Sequence, residues 1–207
     1  MSQTKIDSYQ KALSVNLDKS HYGTIAEIGA GQETARWFFR VGAAAGTIAR
    51  AMSAYDMTFS DAIYGPSQRY VSRDRLQAML GIEYDLLLEL LNESRGEMTS
   101  FFAFANTVTA RSYSRDVDGH GWLGIRFQST PGQEPSQIDI HVSLHGNNNI
   151  QDQETLGLLG VNLIYGALFL HEDAEALLLS LLDNLPPGSA EVDMIEFSGP
   201  AFEKVDN

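Results

Sequence analysis

The sequence predicts an α+β fold, with an antiparallel sheet of about four strands packed against three or more helices. Three observations predict it. Apolar residues recur at helical spacing in the N-terminal half. Three strand-like segments then follow one another with no helix between them. A long, almost wholly apolar segment lies near the C-terminus.

The first expected helix covers Thr34 to Ala54, where Trp37, Val41, Ala44, Ile48 and Met52 form one stripe. It contains Gly42-Ala43-Ala44-Ala45-Gly46, small residues that let another backbone approach. Arg36, Arg40 and Arg50 mark it as a helix in water rather than in a bilayer. A second helix starts from Ser72 as N-cap and runs to about Asn92, with Gly96 as its stop. Its stripe is Leu76, Met79, Leu80, Leu87, Leu90 and Leu91, with Glu83 and Glu89 nearby. Strands are expected at Ser100 to Thr109, Gly121 to Ser129, Gln137 to His145 and Glu191 to Phe197. The best specified is Gln137 to His145, where Ile138, Ile140, Val142 and Leu144 alternate with polar residues. The turn-rich connector Thr130 to Pro135 makes it a hairpin with the strand before it. A symmetric loop would set Arg126 opposite Asp139. The third helical region covers Gln153 to Leu170, continues to Leu182, and ends at Pro186-Pro187-Gly188.

These elements read as a single α+β domain over residues 1–207. Its helical part is 1–97, and the sheet and C-terminal helix occupy 98–207. The chain has 207 residues, 43% of them hydrophobic, enough to bury a core. It has no cysteine, which excludes disulfides, thiol catalysis and thiolate zinc sites. Nothing in the pattern points to a metal, and the cofactor is left unknown. The N-terminus lacks the apolar core of a signal peptide, and the longest uncharged apolar run, Leu156 to Leu170, is too short to span a bilayer. The expectation is a cytoplasmic, bacterial protein with no membrane partner. The net charge of −13 also argues against nucleic acid. That charge is uneven. Residues 1–126 carry 13 basic and 14 acidic side chains, while 127–207 carry 13 acidic ones against Lys204 alone. An acidic surface of this kind keeps a protein in solution or docks a basic partner.

Three segments are candidate sites. Glu27-Ile28-Gly29-Ala30-Gly31-Gln32-Glu33 is a Gly-x-Gly turn before a helix, the place where an anionic group can sit. Glu27, Gly29, Gly31 and Glu33 are its candidate cofactor-binding residues, for a nucleotide or S-adenosylmethionine; the same turn serves equally as a structural lead into a capped helix. The polar face of the hairpin gathers Arg126, Asp139, His141 and His145 as an anion or ligand face, or simply as a wet surface. His141 and His145 lie about 13 Å apart along a strand, too far to share a metal ion. The polar and aromatic connector from Ser53 to Tyr70 holds Asp56, Asp61 and Arg69, read as helix caps and surface salt links. His21, His120 and His171 stand alone in sequence.

Several of these segments also carry a resemblance. Ala26 to Glu33 with Ala35 to Phe39, Ser53 to Thr58, Arg69-Tyr70-Val71, Gly119 to Gly124, Leu159 to Leu163 and Phe197 to Phe202 together resemble the N-terminal half of an uncharacterised bacterial family. Its members carry the labels "TonB-dependent receptor" or "nicotinamide/nicotinate-nucleotide adenylyltransferase". The resemblance implies a chain that is half of a larger protein, and it brings no catalytic residues with it. The residues fit neither label. A receptor barrel needs many amphipathic strands, and His21-Tyr22-Gly23 lacks the second histidine of an adenylyltransferase phosphate motif. The expected function is a binding or assembly domain, acting as a homo-oligomer or with a companion C-terminal domain. The alternative is an enzyme that binds a nucleotide or S-adenosylmethionine at the Gly29-Ala30-Gly31 turn.

Overall fold

The computed structural model describes residues 6–109, 111 and 118–203; the N-terminal Met1 to Lys5 and Lys204 lie outside them. In chain order the elements are α1 (Ser8–Leu17), β1 (His21–Gly29), α2 (Thr34–Val41), a 3₁₀ turn (Ala44–Gly46), β2 (Ile48–Ala54), α3 (Met57–Tyr64), α4 (Arg73–Arg95), β3 (Ser100–Thr109), β4 (His120–Phe127), β5 (Ser136–Leu144), α5 (Asn149–Phe169), α6 (Ala174–Leu181) and β6 (Ala190–Ser198). The strands form one sheet in the order β2-β1-β3-β4-β5-β6. β1 pairs in parallel with both β2 and β3, and every later pairing is antiparallel.

The expected antiparallel sheet of about four strands is therefore corrected, among the described residues, to a mixed sheet of six, still α+β in class. The two extra strands lie within residues 1–97, which had read as helical. The helix expected over Thr34 to Ala54 ends at Val41, because Gly42 and Ala43 both take positive φ, 82° and 62°. The chain turns there and returns as β2. Ile48 and Met52 continue the stripe only because four-residue spacing ran across the break. β1 was hidden for another reason. It is covered on both faces, so it has no alternation to read. It also contains small residues, as at Gly23, where an added Cβ would lie 2.4 Å from the Phe102 ring.

Elsewhere the elements follow their local signals. Ser72 caps α4, accepting from the Arg75 N–H, and Gly96 closes it. The hairpin is antiparallel as expected, but Arg126 stands opposite Gln137 and Asp139 opposite Gly124. Phe127 pairs with Ser136, so the loop is residues 128–135 rather than the Thr130 to Pro135 connector alone, and the expected register is two residues out. The long C-terminal helical region breaks at residues 170–173 into α5 and α6, with Asp173 capping the second piece.

Helices pack against both faces of the sheet. α1, α2, α5 and α6 bury one face through Ile25, Phe102, Phe104, Ile125, Phe127 and Ile140. α3 and α4 bury the other near Ala26, Ile28 and Ala105. The β1-to-β2 crossover thus runs over one face, and the β2-to-β3 crossover over the opposite one. On the α4 side, the far strands β4 to β6 keep a partly open polar surface. No described helix is long and apolar enough to cross a membrane.

Candidate functional site

The Gly29 to Glu33 turn lies at the carboxyl end of β1, where the two crossovers diverge, the usual ligand position in open α/β sheets. Gly29 has φ +81° and leaves 2.3 Å between an added Cβ and the Val108 carbonyl oxygen, so only glycine fits there. The Ala30 N–H donates to that carbonyl at 3.1 Å. Glu27 points inward and is 1% exposed. Its Oε1 accepts from the Thr34 N–H and from Asn106 Nδ2, both at 3.0 Å, and its Oε2 accepts from the Ala35 N–H at 3.1 Å. Asn106 Nδ2 also donates to the Gly31 carbonyl at 2.9 Å. Burial pushes the Glu27 carboxyl up, and these N–H donors partly oppose the shift. The carboxylate that meets the first N–H groups of α2 therefore belongs to the chain itself. Glu33, at the N-cap position, makes no side-chain cap and pairs with Arg36 at 2.8 Å. Of the four turn residues, Glu27 and Gly31 meet through Asn106, while Gly29, whose carbonyl accepts from Gln32 Nε2 at 3.0 Å, and Glu33 stand outside that network.

The four residues expected on the hairpin face do not converge. Arg126 stacks over the Tyr84 ring at 5.4 Å. Asp139 is 3% exposed and accepts from Gln77 and Gln137, with Arg73 at 3.5 Å. Burial pushes its carboxyl up, while Gln137, Arg73 and Gln77 pull it back. His141 Nδ1 meets Asp193 Oδ1 at 2.6 Å, and its Nε2 lies 3.3 Å from His120 Nδ1. His145 sits between Asp118 at 3.6 Å and Glu191 at 3.9 Å. In the connector, Asp56 caps α3 as expected, accepting from the Phe59 N–H. Asp61 instead pairs with the buried Arg75 and accepts from the Tyr70 hydroxyl.

A further site had no place in the sequence reading. Between the C-terminal half of α4 and strands β1 and β2 lies a groove of about 330 Å³. Leu86, Leu87, Leu90, Leu91, Tyr22 and Ala49 make its apolar walls. Glu83, 1% exposed, lies at its base. Arg50 pairs with it, the Tyr64 hydroxyl donates to it at 2.6 Å, and the Thr24 hydroxyl donates at 3.3 Å. Burial raises the Tyr64 hydroxyl far above its ordinary value, and its bond to Glu83 adds to the shift. Glu83 was visible in sequence as a polar residue on an apolar stripe. Its partners were not, because Arg50 and Thr24 sit on the two strands that the periodicity hid.

No family model matches the chain, and no curated protein matches it. Solved structures do. A competence-damaged protein (CinA) superfamily protein from Enterobacter cloacae is 14% identical, with a TM-score of 0.56 over 81% of this chain and 98% of that one. A second, from Klebsiella pneumoniae 700603, is 12% identical, with a TM-score of 0.56 over 78% of this chain and 97% of that one. At these identities the likeness is one of fold. It overturns the expected relationship to a family labelled as TonB-dependent receptors. The match also spans nearly the full length of those structures, so by fold the described residues make a whole domain rather than half of one. The chain carries the fold of the solved CinA-superfamily structures.

Proposed function

We propose that this chain is a small-molecule-binding domain whose ligand lies in the groove between α4 and strands β1 and β2. The observation that supports the reading is the groove itself. Its size falls within the range of ligand pockets, its walls are apolar, and its few polar groups converge at one end. The Arg50 side chain is 45% exposed and presents guanidinium N–H groups beside those walls. The ligand class is a molecule with an apolar body and a hydrogen-bond-accepting head. Anilinonaphthalene sulfonate has both parts and serves as the probe. Its fluorescence should rise on binding the wild-type chain and fall at least tenfold in apparent affinity in L90D and R50Q. Equal binding by both variants overturns the reading. Self-association or a companion domain belongs to the same reading. The exposed Leu178, Leu179 and Leu182 on and beside α6 support it. Light scattering that finds only monomer, with no partner in a pull-down, removes that part.

A second reading places a nucleotide or S-adenosylmethionine at the Gly29 to Glu33 turn, favoured by its place at the carboxyl end of β1. Glu27 weighs against it, since its carboxylate already takes the N–H groups a phosphate would use. A ligand at 100 times its dissociation constant adds about 2.7 kcal/mol of stability. A thermal-shift screen with ATP, NAD and S-adenosylmethionine that shows no shift removes this reading and leaves the groove untouched.

A further inference from the structure

The open polar surface of β4, β5 and β6 holds a pair of histidines that sequence spacing did not connect. His141 pairs across the strands with Trp122, and His120 with Ser143, which puts the two imidazoles diagonally adjacent on one face. Asp193 accepts a hydrogen bond from His141 Nδ1 at 2.6 Å. With its proton on that nitrogen, His141 presents the Nε2 lone pair toward His120 Nδ1, 3.3 Å away.

Asp193 reaches this position through an irregularity of the sheet. Its strand pairing shifts between His141, opposite Met194, and Val142, opposite Val192, leaving Asp193 as the extra residue. A bulge of this kind re-aims a side chain. Here it aims the carboxylate at both His141 and the Ser143 hydroxyl, which donates at 3.0 Å. The Trp122 ring packs against His141 at 4.9 Å and fixes it from the side.

We propose that His120 Nδ1 and His141 Nε2 form a two-histidine site for a divalent transition-metal ion of the zinc class, with Asp193 orienting His141 from behind. An ion about 2.05 Å from two nitrogens at this separation subtends about 107°, close to the tetrahedral angle. Each lone pair must swing about 36° off the line joining the two nitrogens to meet it, and the ion takes the place of the proton between them. Carboxylate behind imidazole is the usual outer support of a metal-bound histidine, and imidazole donors suit zinc, copper and nickel. The surroundings favour a cation over the anion expected from sequence. Asp193 is next to the pair, Asp118 and Glu191 flank His145 on the same face, and Arg126 is away on Tyr84. Among the described residues no three His, Asp or Glu side chains converge on one point. Two coordination positions are left for water or for a donor that the ligand brings.

The test uses the full chain, stripped with a chelator and titrated with zinc chloride by calorimetry, with cobalt(II) absorption reporting coordination geometry. The expected result is one ion per chain and a tetrahedral cobalt spectrum. H120A and H141A should abolish both signals, D193N should weaken binding tenfold to a hundredfold, and H145A should leave it unchanged. Circular dichroism checks folding, and H120N and H141N replace any alanine variant that fails it. Absence of zinc binding by the wild type overturns the proposal. So does binding that survives in both histidine variants, or loss that follows His145 instead. None of these outcomes bears on the groove.

Discussion

Lys11 is a cation in the interior, 1% exposed, on the first helix of the chain. Its Nζ reaches Asn162 Oδ1 at 3.0 Å, the Ser180 carbonyl at 2.9 Å and the Ser180 hydroxyl at 2.7 Å, and it pairs with Asp183 at 2.9 Å. One side chain thereby ties α1 to α5 and α6. Removing one member of a buried ion pair leaves the others desolvated, at a cost of about 3 kcal/mol. Lys11→Ala should lose about that much in urea denaturation, and Lys11→Met less, because it fills the volume. Equal stability of Lys11→Ala and wild type would show that the network contributes nothing. His21 makes a pH prediction. Burial pushes its imidazole below the ordinary value, Asp18 opposes the shift, and the nearby His171 adds to it. The unfolded chain therefore takes up this proton at a higher pH than the folded one. Stability should fall as pH drops below about 6.5, until the folded imidazole is itself protonated. His21→Asn should flatten that slope in denaturant titrations run at several pH values; an unchanged slope assigns it to other groups.

At the scale of elements, two helical glycines give opposite expectations. Gly160 in α5 faces the start of α2, and an added Cβ would lie 2.2 Å from Thr34 Oγ1. Gly160→Ala must push the helices apart and should cost about 1–3 kcal/mol. Gly81 in α4 has open space around it. Gly81→Ala should gain about 0.5–1 kcal/mol through helix propensity alone. Thermal melts of the two variants should move in opposite directions. Helix ends and strand alternation were the parts legible in sequence. Ser72 and Gly96 bound α4 because caps are local chemistry, and β5 alternates because one of its faces is wet. β1 and β2 were not legible. A strand buried on both sides has no period, and a strand that follows a helix in phase borrows the helix's period. The sites suffered for the same reason. The Glu27 to Glu33 turn was found from its glycines, but that the chain's own carboxylate fills the helix end is visible only in three dimensions. Arg50 and Glu83 meet across two elements, and His120 meets His141 only in a register that the symmetric loop had misplaced.

The molecule as a whole is acidic, and unevenly so, with residues 127–207 holding nearly all the excess. Like charges repel in the folded state, and salt screens them. Raising sodium chloride from about 0.02 M to about 0.2 M shortens the screening length severalfold and should raise the melting temperature; a fall would mean that the ion pairs outweigh the repulsion. The sheet also has two histories of closure. β4 and β5 are joined by residues 128–135 alone, whereas β1 meets β2 only after residues 30–47 and β3 only after residues 30–99. Loop entropy favours the short connection first. Refolding should therefore begin as a zipper in the hairpin, with φ-values highest along β4 and β5 and near zero in β2. The outermost parallel strand would then be the last stitch, and the groove beside it would not exist until the chain had otherwise finished folding.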